Sequence, residues 1–499
     1  KIHPALGSAG VGNSPDEWFI GPETADMPPI PTGGYKDANC RIKRQAARFR
    51  VFAYHDNGPP TELTATDATI AWTVQVANKK ASAAARNTGV ADRSKLEITP
   101  AAQTVTGPNA QAAFAGGSVE FPGAAAVTVD LGEIRTDTEG RLVVLGGHGT
   151  SQSPTNTAIT SFLNNDNWYD DVADGPVSAT VTINAQTFQA VGAWVIVAPP
   201  DFAPTVRPVI TLYARLYEHY RSNGLFGLSF PDPIRFRTHI HPLLEATVRH
   251  RGVRSDAASA HGTLSESLYP MSTAQKTAIV SRLKQEGSTM PVLASAELTA
   301  TQYEMLKRWR DNHASFVDDW ATPPQPLEPT PDELDRGPLS HSVGATFFPG
   351  IEAGQFLVNS TTIWIEPFRL DPTQVAPGAV SQTMACPWQA DFWACTGIWW
   401  PSQRPGQTIQ QSTGTSHEWS TLPNYQAMVD NWHTLGFVVP QGNDLVEVET
   451  CGVASITLLT PLLDFVDVPQ GPGGVAVSRA LAVHFEVDAP TVAATFRIS

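Results

Sequence analysis

Residues 384–405 (MACPWQADFWACTGIWWPSQRP) carry the side chains with the most distinctive chemistry in this chain. They contain four of its 13 tryptophans and two of its four cysteines. An indole that is oxygenated and joined to a sulfur becomes a quinone, which can take two electrons from an amine, whereas free tryptophan and cysteine cannot. Tryptophan and cysteine are also common in apolar cores, so a buried aromatic segment is the alternative interpretation.

Asp391 follows Trp388 by three residues within this segment. A carboxylate beside an indole can act as a base while the tryptophan is oxygenated or the substrate loses a proton. The same carboxylate can instead cap a helix or pair with Arg404, and these structural roles are at least as well supported by the sequence.

Other catalytic signatures are absent from the sequence. It has no Gly-x-Ser-x-Gly motif, no Walker loop and no dinucleotide-binding glycine pattern. His239 and His241 are spaced to share one face of a strand, and His250 and His261 follow. This spacing occurs in some metal sites. No carboxylate or cysteine at ligand spacing supports a metal site here, and we predict no metal. Four aspartates suit either a calcium loop or, as we prefer, turns: Asp166, Asp170, Asp171 and Asp174.

Composition narrows the classes of partner. The chain has 499 residues, 41% hydrophobic and 16% charged, with a net charge of −15. A diffuse acidic surface repels phosphate, so nucleic acid is not an expected partner. No apolar run is long enough to cross a bilayer, and no membrane contact is expected. No secretion leader is visible, which fits the cytosol or a non-classical exit route and leaves the localisation unknown.

Four cysteines are too few for a disulfide scaffold. Cys386 and Cys395 are close enough in sequence to pair with each other. Cys40 and Cys451 are expected to stand alone.

Residue patterns predict an α+β, β-rich fold with two domains. Residues 40–200 contain alternating apolar and polar runs at 48–54, 71–77 and 177–183 and an apolar run at 193–197, with turn-rich segments between them, which is typical of a sandwich. Residues 206–221, 241–251, 272–285 and 299–312 predict helices, the last with Thr299 and Gln302 as a capping box. Residues 453–459 and 480–487 predict closing strands. We therefore predict a β-rich domain at 1–205 and a mixed helical and irregular domain at 206–499.

A series of sequence blocks resembles the L-lysine ε-oxidase and glycine oxidase family, whose members carry a cysteine tryptophylquinone. The blocks run in family order along nearly the whole chain: 2–23 (IHPALGSAGVGNSPDEWFIGPE), 43–50 (KRQAARFR), 72–80 (WTVQVANKK), 131–137 (LGEIRTD), 164–176 (NNDNWYDDVADGP), 197–204 (VAPPDFAP), 334–336 (LDR), 347–352 (FFPGIE), 366–369 (EPFR), 387–392 (PWQADF) and 399–405 (WWPSQRP).

This resemblance implies a β-rich amino-terminal part and a mixed carboxy-terminal part that holds the quinone. It also implies oxidation of the primary amine of an amino acid, with release of an aldehyde or keto acid, ammonia and, with oxygen as acceptor, hydrogen peroxide. A homo-oligomer is a plausible assembly on the same ground. Trp388 and Trp400 both lie in matching blocks as quinone precursors, and His341 is expected near them as a proton carrier.

One position departs from the family pattern. The crosslinking cysteine of the family is expected just before the FFPGIE block, where this chain has Ser342. The usual thioether cannot form at a hydroxyl. Three outcomes remain open: a different crosslink, for example from Cys395 to Trp399 or Trp400; an oxygenated tryptophan without a thioether; or loss of the cofactor, which would leave a binding, defence or storage protein.

Overall fold

The computed structural model describes most of the chain. The described residues are 1–26, 28–261, 269–290, 297–321, 329–344, 354–394, 402–410, 413–419, 422–442, 444–450, 484–486 and 495–497. Lys1–Gly452 forms one compact unit, and Val453–Ser499 forms a second.

The first 200 residues are almost entirely strands and turns. Their strands are β1 (Ile2–His3), β2 (Leu6–Gly10), β3 (Trp18–Ile20), β4 (Arg44–Ala53), β5 (Thr61–Leu63), β6 (Thr69–Val74), β7 (Gln103–Thr106), β8 (Gln111–Ala113), β9 (Ser118–Val119), β10 (Val127–Thr128), β11 (Glu133–Thr136), β12 (Leu142–Leu145), β13 (Ser151–Gln152), β14 (Tyr169–Asp170), β15 (Asp174–Ile183), β16 (Gln186–Gln189) and β17 (Ala193–Ala198).

Thirteen of these strands form one sheet, in the order β7-β6-β15-β17-β2-β4-β12-β11-β8, with β1, β3 and β5 also paired to β4 and β16 also paired to β15. The sheet is strongly curved, because β7 at one end contacts β8 and β11 at the other. Its central strand β17 is buried at every residue and pairs in parallel with β2 and antiparallel with β15. A strand enclosed on both faces needs a continuous apolar sequence, which AWVIVA supplies.

Helices and short strands follow the sheet. The helices are α1 (Leu212–Ser222), α2 (His241–Arg249), α3 (Ser255–His261), α4 (Thr273–Val280), α5 (Ala300–Arg310), α6 (Pro331–Ser340), α7 (Gly354–Val358), α8 (Trp388–Ala394) and α9 (Tyr425–Asn431). The strands are β18 (Ile234–Arg235), β19 (Phe316–Val317), β20 (Trp364–Glu366), β21 (Arg369–Leu370), β22 (Gln407–Ile409), β23 (Ser416–Glu418), β24 (Phe437–Gln441), β25 (Asp444–Val448), β26 (His484–Glu486) and β27 (Thr495–Arg497).

The two largest hydrophobic cores of the described residues support these elements. The larger core joins the sheet to α1, α8 and α9, whereas a smaller one packs α2, α4 and α5 around Trp309. Among the described residues, no helix is both long and apolar enough to pass through a bilayer.

The β-rich α+β class predicted from the sequence is confirmed. The capping box at the start of α5 is also confirmed: Thr299 Oγ1 accepts a hydrogen bond from Gln302 N at 3.1 Å, and Gln302 Oε1 accepts one from Thr299 N at 3.0 Å. The predicted strand at 453–459 lies outside the described residues, and β26 falls within the predicted strand at 480–487. The domain boundary at residue 205 stays a prediction.

Two cysteine predictions were wrong. Cys40 is disulfide-bonded rather than alone. Cys386 is free and buried, so it does not pair with Cys395. Its thiol donates a hydrogen bond to Trp168 O at 3.2 Å, and burial raises its pKa to about 12. An enclosed thiol that stays protonated is unsuited to disulfide exchange.

Candidate functional site

Helix α8 places Trp388 and Asp391 inside the protein. Their exposed fractions are 2% and 1%. The Trp388 ring packs edge-on against Phe392 and Trp432, with ring centroids 5.1 and 5.3 Å apart. Its indole Nε1 is buried and has no hydrogen-bond partner in the described part of the chain. Both predicted site residues of this helix are therefore shielded from solvent.

A buried ion pair holds the start of α8. Asp170 Oδ2 accepts a hydrogen bond from Trp388 N at 3.1 Å and lies 2.6 Å from Lys80 Nζ. Both side chains of the ion pair are fully buried. Asn78 Nδ2 donates to Asp170 Oδ1 at 2.9 Å, so the carboxylate has several donors around it. Such pairing is what permits two charges in an apolar interior.

Two further aspartates of the same loop are also buried. Asp174 accepts hydrogen bonds from Trp194 Nε1 at 3.0 Å and from Ser381 N at 2.7 Å. Asp171 accepts one from Thr150 N at 2.9 Å. Burial raises the pKa of Asp174 to about 6 and that of Asp171 to about 8. The prediction of turns holds for Asp166 and was wrong for Asp170 and Asp174, which lie in β14 and β15 and take their partners from distant segments.

The four histidines do not form the arrangement considered from the sequence. His239 lies in a π-helical turn, Phe236–Ile240, and His241 begins α2, so the two do not share a strand face. His239 Nδ1 accepts a hydrogen bond from Arg235 N at 2.9 Å, and the His241 ring lies 4.6 Å from that of Trp320. Within the described residues, no three His, Cys, Asp or Glu side chains are grouped as metal ligands.

A separate cavity brings together other parts of the chain. It is lined by the end of β2, by the loop after β17, by the residues after α6 and by the start of β24. Its polar and aromatic lining includes Tyr35, Lys43, Asp201, His341, Ser342, Gln403 and Phe437. The cavity therefore contains two of the predicted site residues, His341 and Ser342, whereas Trp388 and Asp391 are not part of its lining.

Ser342 is anchored between two helices. Its Oγ donates a hydrogen bond to Pro338 O in α6 at 2.8 Å, and its carbonyl accepts one from Leu212 N at the start of α1, also at 2.8 Å. The side chain is 7% exposed. The residue at the position of the expected cysteine is thus rigidly held at the cavity wall.

His341 is neutral at physiological pH. Burial, with a smaller contribution from the positive charge of Arg207, lowers its pKa to about 3. Its Nε2 has no hydrogen-bond partner among the described residues. A neutral imidazole keeps one N–H, which the Thr24 and Ala25 backbone engages here, and its spare nitrogen can accept a hydrogen bond from a ligand.

Aromatic side chains separate α8 from the cavity. Phe202 lies between them, with its ring centroid 6.0 Å from that of Phe392 on α8 and 5.1 Å from that of Phe437 in the cavity wall. Gln403, also in the cavity wall, follows Trp400 by three residues in sequence. Cys395, Trp399 and Trp400 themselves lie outside the described residues.

Two polar groups that matter here were not predicted from the sequence. Lys80 reads as one of two adjacent lysines in a loop, and only the fold shows that it meets Asp170. Asp201 follows the buried strand β17 and two prolines. A charged residue directly after a fully apolar strand was the signal that could have identified it.

Comparisons with known proteins agree over both halves of the chain. Residues 3–197 match the model for the L-lysine epsilon oxidase N-terminal region, and residues 282–419 match that for the L-lysine epsilon oxidase C-terminal domain. L-lysine 6-oxidase from Marinomonas mediterranea is 24% identical over 85% of this chain and 75% of its own length.

Solved structures show the same fold. The epsilon-lysine oxidase from Marinomonas mediterranea superposes with a TM-score of 0.74 at 20% identity, over 90% of this chain and 94% of the other. The structure of that enzyme's Schiff base intermediate with L-Lys superposes with a TM-score of 0.73 over the same shares. From the two matching models and this common fold, the chain belongs to the L-lysine epsilon oxidase family.

Proposed function

We propose that this protein is an amino-acid oxidase acting on a primary amine in the cavity beside Ser342. The observation that carries the proposal is the match of both family regions, since the carboxy-terminal match includes Ser342, Trp388 and Asp391. The expected products are an aldehyde or keto acid, ammonia and, with oxygen as acceptor, hydrogen peroxide.

The cysteine tryptophylquinone of the family does not fit residue 342. Ser342 has an oxygen where the thioether needs a sulfur. Its hydroxyl group already donates a hydrogen bond to Pro338 O. The nearest described thiol in sequence to Trp388, that of Cys386, is enclosed and donates to Trp168 O. We therefore assign no thioether between residue 342 and a tryptophan, and we derive no reaction step through one.

An oxidase on this scaffold would need an oxidised tryptophan that is not crosslinked at residue 342. Trp388 and Trp400 remain the proposed precursors, with Trp399 and Cys395 as neighbours of the second. Phe202 and Phe392 separate Trp388 from the cavity. The cavity therefore favours Trp400, which lies three residues before the lining residue Gln403. Asp391 is the proposed base for maturation, because it lies one helical turn from Trp388 on α8.

Ser342 also favours a second candidate. Without a quinone, the same cavity with its aromatic and polar lining would bind a small amine or amino acid without oxidising it. This protein would then be a cofactor-less member that acts by binding.

The deciding experiment is the intact mass of the purified protein, followed by peptide mapping of residues 339–354 and 384–405. The oxidase predicts added oxygen with loss of hydrogen on one tryptophan peptide, together with peroxide release from amino acids. An unmodified mass and no peroxide with any common amino acid would contradict it and leave the binding protein as the working assignment.

A further inference from the structure

Asp201 is the carboxylic acid of the cavity lining, and the fold uses one of its two carboxyl oxygens. It follows β17 through Pro199 and Pro200, which place it at the cavity wall. Its Oδ1 accepts a hydrogen bond from Ala203 N at 2.9 Å. Its other oxygen accepts none from the described residues, and the prolines around it have no N–H to offer.

The charged and titratable groups around the cavity leave this carboxyl group without a cation. Lys43 Nζ lies 3.0 Å from Glu17 Oε2 and donates to Thr32 O at 3.0 Å. Tyr35 donates its hydroxyl proton to Pro29 O at 2.8 Å. His341 is neutral, and the nearby Glu449 carboxylate accepts hydrogen bonds from Tyr35 N and Lys36 N. The cavity wall therefore has an acidic acceptor with no basic partner.

We propose that Asp201 binds the protonated primary amine of the ligand in this cavity. An alkylammonium has three N–H donors and one positive charge, which complements an acceptor-only carboxylate. His341 Nε2 offers a neutral acceptor in the same wall. The ligand class rests on the proposed function, but amine binding by Asp201 does not require that the ligand be oxidised.

Binding should depend on pH. Asp201 is half-buried, and this desolvation raises its pKa to about 8, against the smaller opposing effect of the Ala203 N–H. Most Asp201 side chains are then protonated at pH 6.5 and ionised at pH 8.5, while the ε-ammonium of lysine, with a pKa of about 10.4, stays charged throughout. Ligand affinity should rise over this interval rather than fall.

The test is calorimetric titration of the full chain with L-lysine between pH 6.5 and 8.5. We expect the affinity of the wild type to rise about tenfold, following ionisation of Asp201. Asp201→Asn keeps the acceptor for Ala203 N but removes the charge, so it should weaken binding at pH 8.5 at least about tenfold and abolish the rise. Asp371→Asn is the control, because Asp371 Oδ1 makes a similar turn, to Thr373 N at 2.8 Å, outside the cavity.

Equal affinity of Asp201→Asn and wild type at pH 8.5, or no lysine binding by the wild type at that pH, would overturn the proposal. A flat pH profile with weaker binding by Asp201→Asn would support amine binding by a carboxylate that is ionised over the whole interval. If Asp201→Asn does not fold, Asp201→Ser replaces it, because it also removes the charge and keeps an acceptor for Ala203 N. Lysine binding that depends on Asp201 in a protein of unmodified mass would remove the oxidase but leave this site in place. Peroxide release from amino acids that Asp201→Asn leaves unchanged would support the oxidase and overturn amine binding by Asp201.

Discussion

The two polar regions on either side of Phe202 use their charges differently: the aspartates near α8 are fully buried, whereas Asp201 in the cavity wall is half-buried. Around the start of α8, Asp170 is paired with Lys80, and Asp174 takes hydrogen bonds from Trp194 and Ser381. In the cavity, the Asp201 carboxyl group makes one hydrogen bond. A carboxylate whose donors are all within the chain stabilises the fold, whereas one with a spare oxygen can bind a ligand.

The largest effect should come from breaking the ion pair below α8. Lys80→Met keeps an apolar chain of similar length but leaves Asp170 buried without its cation. We expect the free energy of unfolding, measured by urea denaturation, to fall by about 3–5 kcal/mol.

Lys95→Met is the matched control for that change. Lys95 Nζ lies 2.8 Å from Glu120 Oε1, but both side chains are largely exposed. Water solvates the carboxylate that remains, so no measurable change is expected. An equal fall in the free energy of unfolding of the two variants would show that burial does not increase the contribution of the Lys80–Asp170 pair to stability.

Two buried tryptophans separate hydrogen bonding from packing. Trp194 is 1% exposed and its Nε1 donates to Asp174, whereas Trp388 is 2% exposed and its Nε1 has no partner within the described residues. Trp194→Phe and Trp388→Phe remove similar volume. We expect Trp194→Phe to lose about 1–3 kcal/mol more in denaturation experiments, because it leaves the Asp174 carboxyl short of a donor. The opposite order would mean that the Trp388 indole N–H has a partner that the structure does not show.

Asp171 should make stability depend on pH. Its folded pKa of about 8 exceeds the ordinary value of 3.8, so the folded chain retains a proton that the unfolded chain has already lost. Unfolding therefore releases a proton, and stability falls as pH rises towards 8. Between pH 6.5 and 8 we expect a loss of about 1.5 kcal/mol from this group.

Asp171→Asn should remove that part of the pH dependence. Asp201 has a folded pKa of about 8 as well and contributes a slope of the same sign, so some dependence should remain. Denaturation at pH 6.5, 7.2 and 8 checks both points. The folded pKa values of His239, His250 and His341 are lowered, so these groups take up protons on unfolding near pH 6.5 and contribute a slope of opposite sign. That contribution is the same in the wild type and in the variant, so the difference between their slopes isolates Asp171. An unchanged slope in the variant would show that Asp171 is ionised in the folded protein.

The sequence predicted the elements better than the contacts between them. Alternation and capping are local patterns, so the strand at 48–54, which lies mostly within β4, and the start of α5 followed directly from the residues. The loop around Asp170 has a composition typical of turns, and its partner Lys80 lies 90 residues away. No local pattern distinguishes a turn aspartate from one that a distant lysine neutralises.

The candidate site was also predicted only in part. The family resemblance identified His341 and Ser342, which the fold places in one cavity. It did not identify Asp201, because a loop residue becomes a cavity residue only when strands β2 and β17 pair and α6 closes the opposite wall. The separation of Trp388 from this cavity by Phe202 and Phe392 also depends on packing between distant segments.

The smallest effect is expected at Ser342, on the cavity side of the comparison. Ser342→Ala removes one hydrogen bond, from Oγ to Pro338 O, and the Pro338 carbonyl that remains is part of helix α6. We expect the free energy of unfolding, measured by urea denaturation, to fall by about 1 kcal/mol. Ser342→Cys keeps a weaker donor of similar shape and should fall between Ala and wild type. If Ser342→Ala lowered the free energy of unfolding as much as Lys80→Met, Ser342 would be a residue that stabilises the fold. A residue that only lines a binding cavity is expected to contribute little to stability.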